Sequence, residues 1–157
     1  MNKYLKYGSF AVLGAGLFIS GAVAADMTVM HSQENAKAPF ASSVKVPAGY
    51  DTYYISGSAG KGADTAAQTA ATLDSLKAQL AKLGLTLGDV VQAHVFLTGD
   101  PAKGGKMDFA GMNSSWFKEF GTAAQPNKPA RAAFQVAALA GPDNLVEIEF
   151  IAVKKPN

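Results

Sequence analysis

Two runs near the C-terminus constrain this chain most: Pro129-Ala130-Arg131-Ala132-Ala133-Phe134-Gln135-Val136 and, after a short turn, Leu145-Val146-Glu147-Ile148-Glu149-Phe150-Ile151-Ala152-Val153. Both alternate with period two, the period of a β-strand, whose successive side chains point to opposite faces. Arg131, Ala133 and Gln135 share one face of the first strand. In the second, Val146, Ile148, Phe150 and Ala152 form an apolar face, and Glu147 and Glu149 share the other with Leu145, Ile151 and Val153. The fold must therefore contain a sheet with charge on a face that is otherwise half apolar.

Arg131 is the only arginine, against thirteen lysines. A planar guanidinium grips a carboxylate through two parallel hydrogen bonds, which an ammonium cannot do. A lone arginine in a strand is thus the best functional lead from the residues. The residues equally allow an Arg–Glu cross-strand ion pair at a sheet surface.

The rest of the chain supplies the other layers. Residues 41–46 read as a strand, Pro47-Ala48-Gly49 as a turn and residues 52–56 as a second strand. The run Gly57-Ser58-Ala59-Gly60-Lys61-Gly62 lacks the spacing of a phosphate-binding loop and reads as a flexible connection, whose glycines would admit a ligand close to the backbone. A first helix opens with a Thr65-x-x-Gln68 capping box, keeps Ala66, Ala70, Leu73, Leu76, Leu80 and Leu83 on one stripe, and stops at Gly84. Residues 89–97 form a strand carrying His94, which is expected to be hydrogen-bonded within the sheet. Asp108 caps a second helix, whose aromatic stripe of Phe109, Met112, Trp116, Phe117 and Phe120 ends at Gly121, with Asn113 one step off it.

At the N-terminus, two lysines, an apolar stretch over residues 9–23 and Ala22-Val23-Ala24 spell a secretory leader, 1–24, cleaved before Ala25. The uncharged run of residues 7–25 would also suit an uncleaved anchor, but its glycines and small terminal residues favour cleavage, giving a periplasmic protein with no membrane attachment after processing. Without Lys3 and Lys6 the chain holds 12 basic and 12 acidic residues, which argues against nucleic-acid binding. There is no cysteine, hence no disulfide. Residues 25–38 read as a flexible arm. His31 lies there without a second ligand at suitable spacing, so neither a metal nor a cofactor is assigned.

Strand, strand, helix, strand, helix, strand, strand is the order of an α+β sandwich with two helices on one face of a mostly antiparallel sheet, spanning residues 39–155. The other face is expected to carry Arg131, Gln135, Glu147, Glu149, Gln92 and His94 beside Leu145, Ile151, Val153 and Phe96. Such a face is too apolar for water and too polar for a dry core, so oligomerisation with clefts between subunits is expected.

Several motifs, taken together, resemble one family. They are Ile55-Ser56-Gly57, Leu83-Gly84, Gly88-Asp89-Val90-Val91, Phe96-Leu97, Asp108-Phe109-x-x-x-Asn113-x-x-Trp116, Pro129-Ala130-Arg131 and Val146-Glu147-Ile148-Glu149-x-x-Ala152-Val153. In order and spacing, over roughly Pro39 to Lys155, the chain resembles the RidA (YjgF/YER057c/UK114) family. The resemblance implies a chorismate-mutase-like fold, a homotrimer with three inter-subunit clefts, and hydrolysis of reactive 2-imino or enamine acids to 2-keto acids and ammonia. It implies that Arg131 binds the substrate carboxylate and that Glu147 handles the attacking water. It also implies that Asn113 lies near the site and that Ser56 and Gly57 border the cleft.

Three positions depart from the family pattern. Phe40 stands where many members have tyrosine, Ala133 where they have a site cysteine, and Ser58 where a glutamine often follows Ser-Gly. The pocket therefore lacks a phenol and a thiol. An activated imine is electrophilic without thiol help, so deaminase chemistry with altered substrate preference is one expectation. A trimeric small-carboxylate binder or chaperone-like protein using the same clefts is the other.

Overall fold

The computed structural model describes residues 27–156. The leader and its cleavage point lie outside the described residues. Eight strands and helices follow in chain order: β1 (Met30–Ser32), β2 (Ser43–Lys45), β3 (Asp51–Ser58), α1 (Thr65–Lys82), β4 (Val90–Leu97), α2 (Phe109–Trp116), β5 (Ala130–Gln135) and β6 (Val146–Lys154). The main sheet has the order β3-β6-β4-β5. Only β4 and β5 run parallel, joined by the crossover through α2; the other pairings are antiparallel. The expected α+β sandwich, with two helices on one face of a mostly antiparallel sheet, is observed.

Both helices form where their caps dictate. Asp64, rather than a Thr65–Gln68 box, caps α1 by accepting from Ala67 N at 2.8 Å. Gln68 is instead buried and stitches loops together, accepting from Leu145 N at 2.8 Å and donating to Asp143 O at 3.0 Å. The stripe of α1 is aliphatic only in its second half, through Leu73, Leu76 and Leu80. In its first half the buried residues are polar, Thr65, Gln68, Thr69 and Thr72, while Ala70 and, at the helix end, Leu83 face solvent. Thr69 and Thr72 donate to the carbonyls of Thr65 and Gln68 at 2.7 Å, so their hydroxyls enter the core already satisfied. Asp108 caps α2 as expected, accepting from Gly111 N. In α2 and the turn after it, Met112, Trp116 and Phe120 are buried, while Phe109 and Phe117 lie partly bare. Trp116 stacks on Phe120 at 4.5 Å, and both meet Phe150 of β6 edge-on.

The helix-facing side of the sheet is the apolar one: Ile55, Ala93, Val95, Leu97, Val146, Ile148, Phe150 and Ala152. The parallel register pairs Ala93 with Arg131 and Leu97 with Gln135. Arg131, Ala133 and Gln135 therefore share the helix-facing side, at the outer strand, and not the open face where the sequence pattern had put Arg131 and Gln135. The pattern fixes which residues share a face within β5 but not which way that face turns, and a parallel partner reached by crossover sets it here. The open face carries Gln92, His94, Phe96, Phe134, Glu147, Glu149 and Ile151, with Tyr54 strongly exposed.

Two further expectations are corrected. The described part of the expected arm over 25–38, from residue 27 onward, includes a strand, for β1 pairs antiparallel with β2. The segment that follows is tied to β5 by an Ala41–Ala130 bridge, with Ala41 N donating to Pro129 O at 2.9 Å. The glycine-rich loop, expected as a flexible connection, is packed on α1: side chains at Gly60 or Gly62 would strike the helix backbone, and Gly60 N donates to Thr72 Oγ1 at 2.7 Å.

Candidate active site

β5 carries Arg131 to the outer strand, beneath α2 and beside the segment that follows β1. Its guanidinium carbon stands 4.7 Å from the centroid of the Trp116 ring, 5.7 Å from that of Phe40 and 5.8 Å from that of Phe109. Nη1 points at Met112 Sδ, 3.6 Å away. Among the described residues no carboxylate pairs with it. The Arg–Glu cross-strand pair does not form, because β4 lies between β5 and β6. Burial without a counter-charge pulls the Arg131 pKa well below that of a free guanidinium, to about 10. A guanidinium among ring faces, with no carboxylate beside it among the described residues, keeps N–H donors that suit an anion.

Glu147 is placed differently. It lies opposite Phe96 on the open face, so a single chain does not bring it onto the face of Arg131. Among the described residues it makes neither an ion pair nor a hydrogen bond. Its Oε1 sits against Gly57, where any β-carbon would collide with it. Ser56 and Gly57 occupy the register shift in the β3–β6 ladder, between Ile55 and Ser58. This irregularity bares backbone beside the carboxylate. Glu149, by contrast, is engaged: His94 Nδ1 donates to its Oε1 at 2.8 Å, and Gln92 Nε2 donates to His94 Nε2 at 2.9 Å.

Asn113 Oδ1, on α2, is buried and has no hydrogen-bond partner among the described residues. Ala133 packs against the core. His31 belongs to β1, where its Nδ1 donates to Lys128 O at 2.7 Å. Sequence reasoning placed Trp116, Met112 and Phe109 on the aromatic stripe of the second helix and gave Lys128 no role. The over-aromatic stripe around the only tryptophan was the available signal for the first three; nothing in the sequence marked Lys128. A groove of about 920 Å³ opens at the far end of the sheet, lined by Lys61, Asp100, Gln135 and Asp143, and contains neither Arg131 nor Glu147.

The family model described as endoribonuclease L-PSP matches residues 30–154, nearly the whole described chain. The chain belongs to the YjgF/RidA family. A YjgF-family protein of Neisseria meningitidis superposes with a TM-score of 0.56 at 29% identity, covering 83% of this chain and 98% of its own. Escherichia coli TdcF, solved with bound serine, does so with a TM-score of 0.57 at 30% identity, covering 77% and 96%. In sequence, the 2-iminobutanoate/2-iminopropanoate deaminase of Escherichia coli is 38% identical over 93 residues, 59% of this chain and 66% of that protein. A RutC family protein of Haemophilus influenzae is 39% identical over the same shares. The chain thus spans just under two thirds of the length of the curated relatives it matches. The RidA-type fold expected from the motifs is the fold observed.

Proposed function

We propose that this RidA-family chain hydrolyses 2-imino acids to 2-keto acids and ammonia. The observation that carries the reading is the Arg131 guanidinium, buried among three aromatic rings with no carboxylate partner. A substrate carboxylate supplies the missing counter-charge and is held in plane by two N–H donors. That contact leaves C2 of the protonated C=N fixed for attack. Water adds to C2 and gives up a proton to a carboxylate base, Glu147. The resulting carbinolamine then collapses: Glu147 returns its proton to nitrogen and takes up the hydroxyl proton as the C–N bond breaks, so that ammonia leaves and a 2-keto acid remains.

Glu147 and Arg131 lie on opposite faces of the sheet, so the reading requires Glu147 to come from a neighbouring copy. The half-apolar open face, with Tyr54, Phe96, Phe134 and Ile151, supports such an association, a homotrimer with clefts between subunits. Asn113 Oδ1, an unused acceptor, and the bared backbone at Ser56 and Gly57 would line the cleft, with Phe40 and Ala133 replacing a phenol and a thiol by apolar walls. In this reading the leader expected over residues 1–24 is cleaved and the activity is periplasmic. No cofactor takes part in the scheme.

Ammonia release tests the reading, with imino acids generated in place by an amino-acid oxidase. Release above the spontaneous rate, lost in Arg131→Ala, is expected. No acceleration with any imino acid would leave the alternative, a trimeric protein that binds small carboxylates in the Arg131 cage without turning them over.

A further inference from the structure

Lys128 is an anomaly. It is 6% exposed, yet no acid meets it among the described residues. Its Nζ donates to the carbonyls of Ala38 at 2.9 Å, Ala36 at 3.0 Å and Asn35 at 3.4 Å. An ammonium has three donors, and here all three go to the backbone of one turn. The same residue's main chain is held from both sides, its N–H by Gln33 Oε1 and its C=O by His31 Nδ1, each at 2.7 Å. Just beyond the turn, Trp116 Nε1 donates to Pro39 O at 2.7 Å, and Ala41 joins β5. Phe40 lies between these two anchors and is the ring this segment adds to the cage around Arg131.

We propose that Lys128 is a positioning residue for the anion site: by capping the three carbonyls it holds residues 35–40 as a strap that lays Phe40 on the Arg131 guanidinium. The ring contributes cation–π attraction and keeps water off a cation that an incoming carboxylate must reach. With the ammonium removed, three part-buried carbonyls lose their donor and the turn has reason to leave. Lys128 touches neither Arg131 nor, in the scheme above, the substrate, so its effect is on binding rather than on chemistry. The inference rests on the reading of Arg131 as a carboxylate site, and the experiment separates the two.

Trp116 is the only tryptophan, and it touches both the strap and Arg131. Its emission therefore reports strap placement without any ligand. Affinity is measured by calorimetry with 2-oxobutanoate, a 2-keto acid of the proposed product class. Lys128→Met should shift Trp116 emission to the red and weaken 2-oxobutanoate binding about three- to tenfold, the range expected for loss of one ring from a cation. KM for the imino acid should rise by the same factor while kcat stays within about twofold. Phe40→Ala, which leaves Lys128 and its carbonyls in place, should weaken binding equally. The double variant should be no weaker than either single one, because both remove the same contact. Unchanged Trp116 emission in Lys128→Met would overturn the proposal. So would additive losses in the double variant, or wild-type affinity in Phe40→Ala, the last holding even if Lys128→Met does not fold. Arg131→Ala decides the other question: if it binds 2-oxobutanoate as the wild type does, the carboxylate reading fails, and Trp116 emission in Lys128→Met still judges the strap.

Discussion

Arg131 and Glu147 stand on opposite faces of one sheet, the first beneath α2 beside Trp116, the second on the open side against Gly57. Two groups so placed cannot act on one small molecule within a single chain. If they form one site, its halves come from different copies, and this is open to a direct test. Arg131→Ala and Glu147→Gln should each be inactive alone. Refolded together in equal amounts, they should regain about a quarter of wild-type activity, because random assembly gives that share of clefts both intact residues. No recovery would show that the two residues do not meet across an interface.

The guanidinium geometry predicts a sharp loss for a change that keeps the charge. Lysine at position 131 offers a point charge in place of a planar fork and stacks less well on Trp116 and Phe109. Arg131→Lys should lower kcat/KM for imino acids about a hundredfold or more, on the order expected when a bidentate orienting contact is lost. Steady-state ammonia release measures it.

At Gly57 the prediction separates stability from activity. This glycine does not hold a left-handed backbone, so alanine fits the chain locally. What a β-carbon strikes is the carboxylate end of Glu147, a flexible group able to swing away. Gly57→Ala should therefore shift Tm by only a few degrees, about 1 kcal/mol or less, while displacing the proposed base and lowering kcat. A large fall in Tm with retained kcat would contradict this.

Burial of Arg131 also sets a pH dependence. Its folded pKa, about 10, lies below that of a free guanidinium, so in the window above about pH 10 the unfolded chain holds the proton more tightly. The cost of burying the charge is therefore fully present at neutral pH and is relieved as pH rises through that window. Anion binding has the opposite sign, since it needs the charged form. Affinity for 2-oxobutanoate should be flat from about pH 6 to 9 and fall towards tenfold per unit above about pH 10. Calorimetry across that range checks it.

How much of this was legible in the sequence depends on what each signal encodes. Strand and helix identity lay in hydrophobic period, and the stop of α1 lay in Gly84, which takes positive φ, whereas α2 ends at Trp116, short of the expected stop at Gly121, because the chain turns at Phe117 while Phe120 still packs into the core. The α1 face was read correctly at Leu73, Leu76 and Leu80 and missed at Thr65, Thr69 and Thr72, because a threonine that bonds its own helix counts as apolar only once folded. The orientation of β5 was not legible: alternation names two faces, and only the crossover through α2 says which one meets the helices. Arg131 stood out as the sole arginine, but its rings lie 15 to 91 residues away in sequence, at Trp116, Phe109 and Phe40. Lys128 carried no signal at all, since its partners are backbone carbonyls, which every residue has.

The bridge from Ala41 to Ala130 has a consequence for how such a chain can change over time. β5 is the outer strand of the sheet, and its free backbone invites pairing with other molecules. The segment that shields the start of that strand is the one that carries Phe40 to Arg131. If Arg131 holds the ligand as proposed, ligand preference and resistance to aggregation are written into the same few residues. A substitution there that reshapes the pocket also exposes an edge, so variants selected for a new substrate in this region should need compensating changes for solubility elsewhere.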